Sequence, residues 1–406
     1  MSSFFSHAAA WAIKHRSQLP AWAQRLMESA ARDPDGVMGR LTGRLLGGGS
    51  APNTEAPNTA VRVYIAPTNY AGQGFLWARA LEGADHRIGA RNMAITLPGD
   101  YAFRADTPVP IAAFNTSDTW AEAEWQAAQR FTHVLVEAER PMFGRRFGHD
   151  LRTEIAVLEA AGVSVAFLCH GNDIRDPDRH AALTPWSLFP EDPRTEFFRS
   201  EARRNLALIT ELGNPVFVST PDLSADVPQA AWCPVIVDLD RFGGPTPPAF
   251  SGGRVSIVHA SSDPFGKGTN YIEPALEPLV ASGLVDYRLI TATPAAEMPA
   301  VFASSDIVID QFRAGSYGVA ACEAMASGRA VVGHVMPVAR EFIERQTGFE
   351  LPIVEATPDT LRTVVEELVA DPERAREIGE AGRRYVTAVH TGAASARALL
   401  GNWIDA

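Results

Sequence analysis

The sequence predicts an α/β protein of two doubly wound domains, preceded by a basic, helical amino-terminal extension. Three observations carry that expectation. Short runs rich in valine, isoleucine and phenylalanine alternate with helical patterns; the alternation breaks at a proline and glycine cluster near residue 245 and then restarts; and 406 residues suffice for two domains of ordinary size. With 46% hydrophobic and 21% charged residues, the composition is that of a globular enzyme.

Along the chain, residues 1 to 44 hold six basic residues (Lys14, Arg16, Arg25, Arg32, Arg40, Arg44) against three acidic ones (Glu28, Asp33, Asp35). Its segment "FFSHAAAWAIKHRSQLPAWAQRLM" mixes Phe4, Phe5, Trp11, Ile13, Trp22 and Leu26 with basic side chains. Such a head suits either an anionic membrane surface or packing on the first domain, and Pro20 interrupts any long helix in it. "GGGSAPNTEAPNT" then reads as a flexible tether. The runs "VRVYIAP" (61 to 67), "THVLVEA" (132 to 138), "VSVAFLCH" (163 to 170) and "PVFVST" (215 to 220) read as buried strands, with helical stretches such as "RTEIAVLEAAG" between them. After the linker "RFGGPTPPAFSGG" (241 to 253) come "RVSIVHA" (254 to 260), "DYRLITAT" (286 to 293), "DIVIDQF" (306 to 312) and "AVVGHV" (330 to 335). The halves share architecture, with no short-period repeat.

Several function classes are disfavoured. A net charge of -12 argues against a general nucleic-acid binder. No apolar run approaches the roughly 20 residues of a membrane-spanning helix, and no secretory signal is evident, so a cytoplasmic protein is expected. Cys169, Cys233 and Cys322 are scattered in apolar contexts, which predicts reduced, buried thiols and no structural zinc. "DLD" (238 to 240) resembles a metal-binding aspartate pair, but it lies at the domain junction, and no metal or cofactor is expected.

Ligands of open parallel sheets bind beyond the carboxyl ends of the strands. Three loops fall there. "NYAGQGFLWARAL" (69 to 81) carries Gly72, Gln73 and Gly74 at a helix start; "CHGNDIRDP" (169 to 177) carries His170 and Asp173; and "DQFRAGSYG" (310 to 318) leads into the helix of Glu323. Glu323 stands among alanine, cysteine and methionine, where an unpaired carboxylate is costly, so a ligand supplying hydrogen-bond donors is expected there. Of 36 basic residues only Lys14 and Lys267 are lysine. Lys267, in "SSDPFGKGTNYIEPAL" between a strand and a helix, suits a phosphate as a compact point charge.

"GSYGVAACEAMASGRAVVG" (315 to 333) resembles the nucleotide-sugar signature of GT-B glycosyltransferases of the family 4 type. "PVIVDLDRF" (234 to 242) is similar to their interdomain segment, "FGKGT" (265 to 269) to their phosphate loop, and "HGNDIR" (170 to 175) and "STPDL" (219 to 223) fit their first half. The resemblance, over about residues 61 to 390, implies two Rossmann-like domains facing across a cleft: an extension and linker (1–58), an acceptor domain (59–240), a donor domain (241–387) and a terminal helix (388–406) crossing back to the first domain. It implies that Glu323 holds the donor's ribose hydroxyls, that Lys267 neutralises the diphosphate and that His170 approaches the donor sugar. Gly266, Gly268, Asp310, Arg313, Gly315, Ser316, Tyr317 and Gly318 would line the donor side, and Gly72, Gln73, Gly74, His170 and Asp173 the acceptor and sugar side.

There is a departure from the pattern. The first glutamate of the family's pair, eight residues before Glu323, is here Gly315, and the arginine that often precedes the phosphate lysine is missing. Asp310, Gln311 or Arg313 are the nearby candidates to replace these contacts. The expected activity is transfer from a nucleotide-diphosphate sugar to a glycan, lipid-linked or envelope acceptor with retention of configuration. The alternatives are a noncatalytic nucleotide-sugar binding module and an epimerase on the same fold.

Overall fold

A computed structural model describes residues 51–406 apart from 98–99 and 292. The amino-terminal head, with the membrane contact expected of residues 1–48, lies outside the described residues. The strands are β1 (Val61–Ala66), β2 (Ile88–Thr96), β3 (Thr107–Pro110), β4 (His133–Glu137), β5 (Ser164–Cys169), β6 (Val216–Val218), β7 (Ala231–Trp232), β8 (Val255–Ala260), β9 (Val285–Ile290), β10 (Ile307–Ile309), β11 (Ala330–Gly333) and β12 (Ile353–Glu355). They form a seven-stranded sheet in the order β3-β2-β1-β4-β5-β6-β7 and a five-stranded sheet in the order β12-β11-β10-β8-β9. The central pairings, β1 with β2 and β4 and β8 with β9 and β10, are parallel, as buried strands joined by helical crossovers must be.

The second sheet is covered on both faces. Val308 and Val331 face a cluster with Phe302, Cys322, Met325 and Tyr385, while Ile307, Ile309, Ala330 and Val332 face another with Ile272, Leu276 and Val365. Side chains of a strand alternate between faces, so adjacent residues feed opposite cores. The eight runs expected as strands all contain one. β2, β3, β7 and β12 were not foreseen. β3, β7 and β12 are edge strands of two to four residues, too short for a period to show.

The chain divides into two compact units. One runs through Cys169 and takes in 208–216 and 400–406; the other comprises His170–Ala207 and Phe217–Leu399. A single cut at residue 240 therefore does not describe the packing, although the two sheets do separate there. The segment 170–207 joins the second unit for a concrete reason. His180 Nε2 lies 3.0 Å from the Ala314 carbonyl, Thr184 Oγ1 3.0 Å from His334 Nε2, and Glu191 pairs with Arg313 at 2.8 Å.

Two stretches expected to be loose are anchored. Residues 51–59 do not hang free: the buried Glu124 carboxylate accepts from Asn53 Nδ2, Thr54 N, Thr54 Oγ1 and Tyr64 Oη at 2.6–3.0 Å. A buried carboxylate is stable only with donors, and these come from the presumed tether. The linker 241–253 is fastened to the second unit by arginine forks, with Arg329 donating to the Pro247 carbonyl and Arg376 to those of Ala249 and Phe250. The three cysteines are free and buried, as expected. Among the described residues, no helix is long and apolar enough to cross a membrane.

Candidate functional site

Each sheet has a point where the strand order reverses, and there the connections leave in opposite directions and open a crevice. In the second sheet it lies between β8 and β10. Two of the predicted residues meet there. Lys267 closes the short helix Pro264–Lys267 after β8, and Asp310 follows β10 directly. Lys267 Nζ donates to Asp310 Oδ1 at 3.2 Å and to the Ala260 carbonyl at 3.0 Å, while Asp310 Oδ2 accepts from the Gly318 amide at 3.1 Å. Asp310 thus holds the ammonium and the start of the Glu323 helix together. It is buried, and both of its carboxylate oxygens are engaged within the protein.

Local sequence explains why these loops take this shape. Asp263 caps the turn by accepting from the Gly266 amide, and a Cβ at Gly266 would lie 2.7 Å from Asp263 Oδ2. Gly268 is in the left-handed region and ends that helix, with Arg313 Cγ 3.2 Å from where its Cβ would stand. His259, which the sequence reading passed over, bridges the Ile309 carbonyl and Thr269 Oγ1 at 2.9 Å each. Burial pushes its pKa down to about 4, so it is neutral: one ring nitrogen donates to the carbonyl and the other accepts the threonine hydroxyl.

Glu323 sits mid-way along the helix Val319–Ala326, half-buried, with its pKa pushed up to about 8 by burial. The positive charges of Arg241 and Lys267 oppose that rise without cancelling it. Among the described residues, no hydrogen bond to its side chain is found, and only its backbone carbonyl is engaged, by Ser327. The carboxylate has the unspent acceptor capacity that the sequence reading anticipated.

The other predicted donor-side residues are distributed less simply. Gly315 has φ 71°, and a Cβ there would meet Met336 Cε at 2.6 Å and Met336 Cγ at 2.8 Å. A side chain there would be strained by the positive φ and would have to displace the Met336 side chain. Tyr317 points into the core, its hydroxyl 2.9 Å from Tyr385 Oη and 3.1 Å from His390 Nε2. Only its backbone remains available to a ligand. Gln311 Nε2 donates to the Ser316 carbonyl, and Ser316 Oγ is buried with no hydrogen-bond partner among the described residues. Arg313 is 1% exposed, between the rings of Phe265 (4.5 Å) and Tyr271 (5.5 Å), and donates to Glu191 and the Ser187 carbonyl. It braces the Lys267 loop, while its Nε and Nη1 have no hydrogen-bond partner among the described residues.

His170 opens the loop after β5, where its amide donates to Asp173 Oδ2 at 2.7 Å and the Gly171 amide to Asp173 Oδ1. Asp173 is therefore spent on the turn. Arg175 and Asp222, quoted in the motifs but given no role from sequence, form a buried pair, Nε and Nη2 both reaching Asp222 Oδ2 at 3.0 and 2.6 Å. In the first unit the reversal lies between β1 and β4. There Glu137 Oε2 accepts from the amides of Thr68 and Asn69, and a Cβ at Gly74 would lie 2.5 Å from Asn92 Nδ2. Gly72 is left-handed and Gln73 buried at the start of the following helix. The expected acceptor-side glycines thus stand on a rigid, strained turn, which Asn69 and Ala71 also enter with positive φ.

Residues 275–401 match the profile of a family described as glycosyl transferase-like. Among solved structures, a sucrose-phosphate synthase from Thermosynechococcus elongatus superposes with a TM-score of 0.54 at 13% identity, over 82% of this chain and 96% of that one. HepE from Anabaena superposes in complex with UDP and glucose (TM-score 0.51, 12% identity, 82% and 96% covered) and with UDP-glucose (0.50, 12%, 84% and 98%). No curated protein matches. The chain has the GT-B fold, and its residues 275–401 are similar to a glycosyl transferase-like family.

Proposed function

We propose that this protein is a glycosyltransferase that binds a nucleotide-diphosphate sugar on its second unit and moves the sugar to a glycan or lipid-linked acceptor with retention of configuration. The observation that carries the proposal is the clamp at the β8/β10 reversal, where Lys267, Asp310 and the Gly318 amide meet near the half-buried Glu323, whose carboxylate bonds no described residue. A ribose diol supplies Glu323 with two donors, and Lys267 neutralises the diphosphate. Breaking the bond between sugar and diphosphate places negative charge on the leaving oxygen, and a preorganised cation there lowers the barrier. The Gly318 amide already serves Asp310, so the amides of Ser316 and Tyr317 are the ones proposed to assist the leaving group. No metal has a part in this scheme. His170 is proposed as the donor-sugar contact, and the turn at Gly72, Gln73 and Gly74 as part of the acceptor site.

The filled space at Gly315 favours one other reading, a noncatalytic module that binds nucleotide sugars without transfer. A panel of UDP-, GDP- and ADP-sugars separates the two. Transfer or slow donor hydrolysis with release of the nucleoside diphosphate is expected for at least one donor. Binding to a donor with neither transfer nor hydrolysis supports the module, and no binding to any donor overturns both.

A further inference from the structure

We infer that Arg241 is a further donor-binding residue that holds the nucleobase at the nucleoside end of the site; the inference rests on the donor reading above. Arg241 lies on the short helix Leu239–Phe242, whose Phe242 is buried and whose Phe242 carbonyl accepts from Ser327 Oγ at 3.3 Å. Ser327 and Glu323 are four residues apart, and Ser327 N and Oγ both donate to the Glu323 carbonyl, so the two share one helix face. Pinning Phe242 to Ser327 therefore sets Arg241 alongside the Glu323 carboxylate. From there its Nη2 donates to the Ala295 carbonyl, in the turn after β9, at 2.6 Å.

The order of the strands then gives the site a direction. Along the sheet the neighbours are β10, β8 and β9, so the loops beyond them bring Asp310 with Gly315–Gly318, then Lys267, then Ala295 with Arg241. A nucleotide with its diphosphate at Lys267 and its ribose at Glu323 directs its sugar toward Gly315–Gly318 and its base toward Arg241. Arg241 is suited to receive it. The side chain is exposed, it forms no ion pair among the described residues, and one of its five N–H donors is used by Ala295. Arg241 packs over the Phe242 ring at 5.1 Å, as the buried Arg313 does over that of Phe265, but Arg313 also holds a carboxylate and a carbonyl, and Arg329 two carbonyls. A planar cation with open donors recognises a base through its carbonyl oxygens and its π face, as uracil or guanine offers.

The test is calorimetric titration of the wild type, Arg241→Ala and Arg241→Lys with UDP, GDP, ADP and inorganic pyrophosphate. For the nucleoside diphosphate bound most tightly, Arg241→Ala is expected to weaken binding about tenfold to a hundredfold, the loss of a charge-assisted contact, with pyrophosphate affinity nearly unchanged. Arg241→Lys keeps the charge without the planar fork and should fall between. Equal losses for pyrophosphate and nucleotide would overturn the assignment, because the charge would then act on the phosphates alone. Unchanged nucleotide binding in both variants would overturn it as well. A wild type that binds no nucleoside diphosphate overturns the donor reading itself, a result distinct from either.

Discussion

On the proposed donor reading, the ionisation of Glu323 is coupled to the binding of a ribose. With its pKa pushed up to about 8 from 4.5, the folded protein keeps a proton that the unfolded chain releases near 4.5. Since the folded state binds more protons, the contribution of this residue to stability declines as pH rises from about 4.5 to about 8 and stays low above. Glu323→Gln is expected to lose donor affinity about tenfold to a hundredfold, since charge-assisted bonds to the ribose go. The same variant should gain thermal stability relative to wild type above pH 8 and little near pH 4. At pH 7 a ribose diol that donates to an ionised Glu323 must expel its proton, so UDP binding should release up to one proton, read from titrations in buffers of different ionisation enthalpy. Proton release that persists in Glu323→Gln would assign it elsewhere. Lys267→Ala should depress turnover more than binding, because the leaving diphosphate gathers charge in the transition state; a steady-state kcat equal to wild type would remove Lys267 from the site. Both residues were legible in the sequence because each is anomalous there, a lone acid among alanines and a lysine in a chain that otherwise uses arginine. The buried contacts of the Asp310, Tyr317 and Arg313 side chains were not legible, because sequence proximity to a site does not fix where a side chain points.

The loop 310–318 and the helix after it act as one element held from several sides. Gly315 accepts Met336 N through its carbonyl, His334 N bonds the Gln311 carbonyl, and His180 reaches the Ala314 carbonyl. Restoring the family's glutamate here should therefore fail. Gly315→Glu is expected to destabilise by about 1–3 kcal/mol, from left-handed strain and overpacking against Met336, and to leave donor affinity no better. Thermal melting and UDP titration check this, and a variant with native stability and improved affinity would show that the loop can yield. None of the helpers from 180 to 191 was evident in the sequence, because the contacts of His180, Thr184 and Glu191 span more than a hundred residues. The runs that became β1, β4, β5, β8 and β10 were legible for the opposite reason: buried parallel strands are continuously apolar, and that is a local property.

At the scale of the molecule, the end of the chain belongs to the unit that begins it. Residues 400–406 fold with the first unit, whereas the chain up to Leu399 belongs to the second. Trp403 is 4% exposed, donates from Nε1 to Ser164 Oγ at 2.9 Å and stands edge-on to His133 at 5.1 Å. Its indole thus covers the starts of β4 and β5, the strands at the centre of the seven-stranded sheet. Because burial of a tryptophan is a large term, Trp403→Ala should cost about 3–5 kcal/mol, and deletion of 400–406 at least as much. The proposed donor site lies wholly in the second unit, so each unit answers to a separate measurement. Near room temperature both changes should leave the Kd for the nucleoside diphosphate within about twofold of wild type, since no contact to that site is removed. Scanning calorimetry should meanwhile show a lower Tm for the first unit. An unchanged melting profile after the deletion would mean that the tail does not hold the first unit together, and a lost nucleotide affinity would mean that the second unit depends on it too.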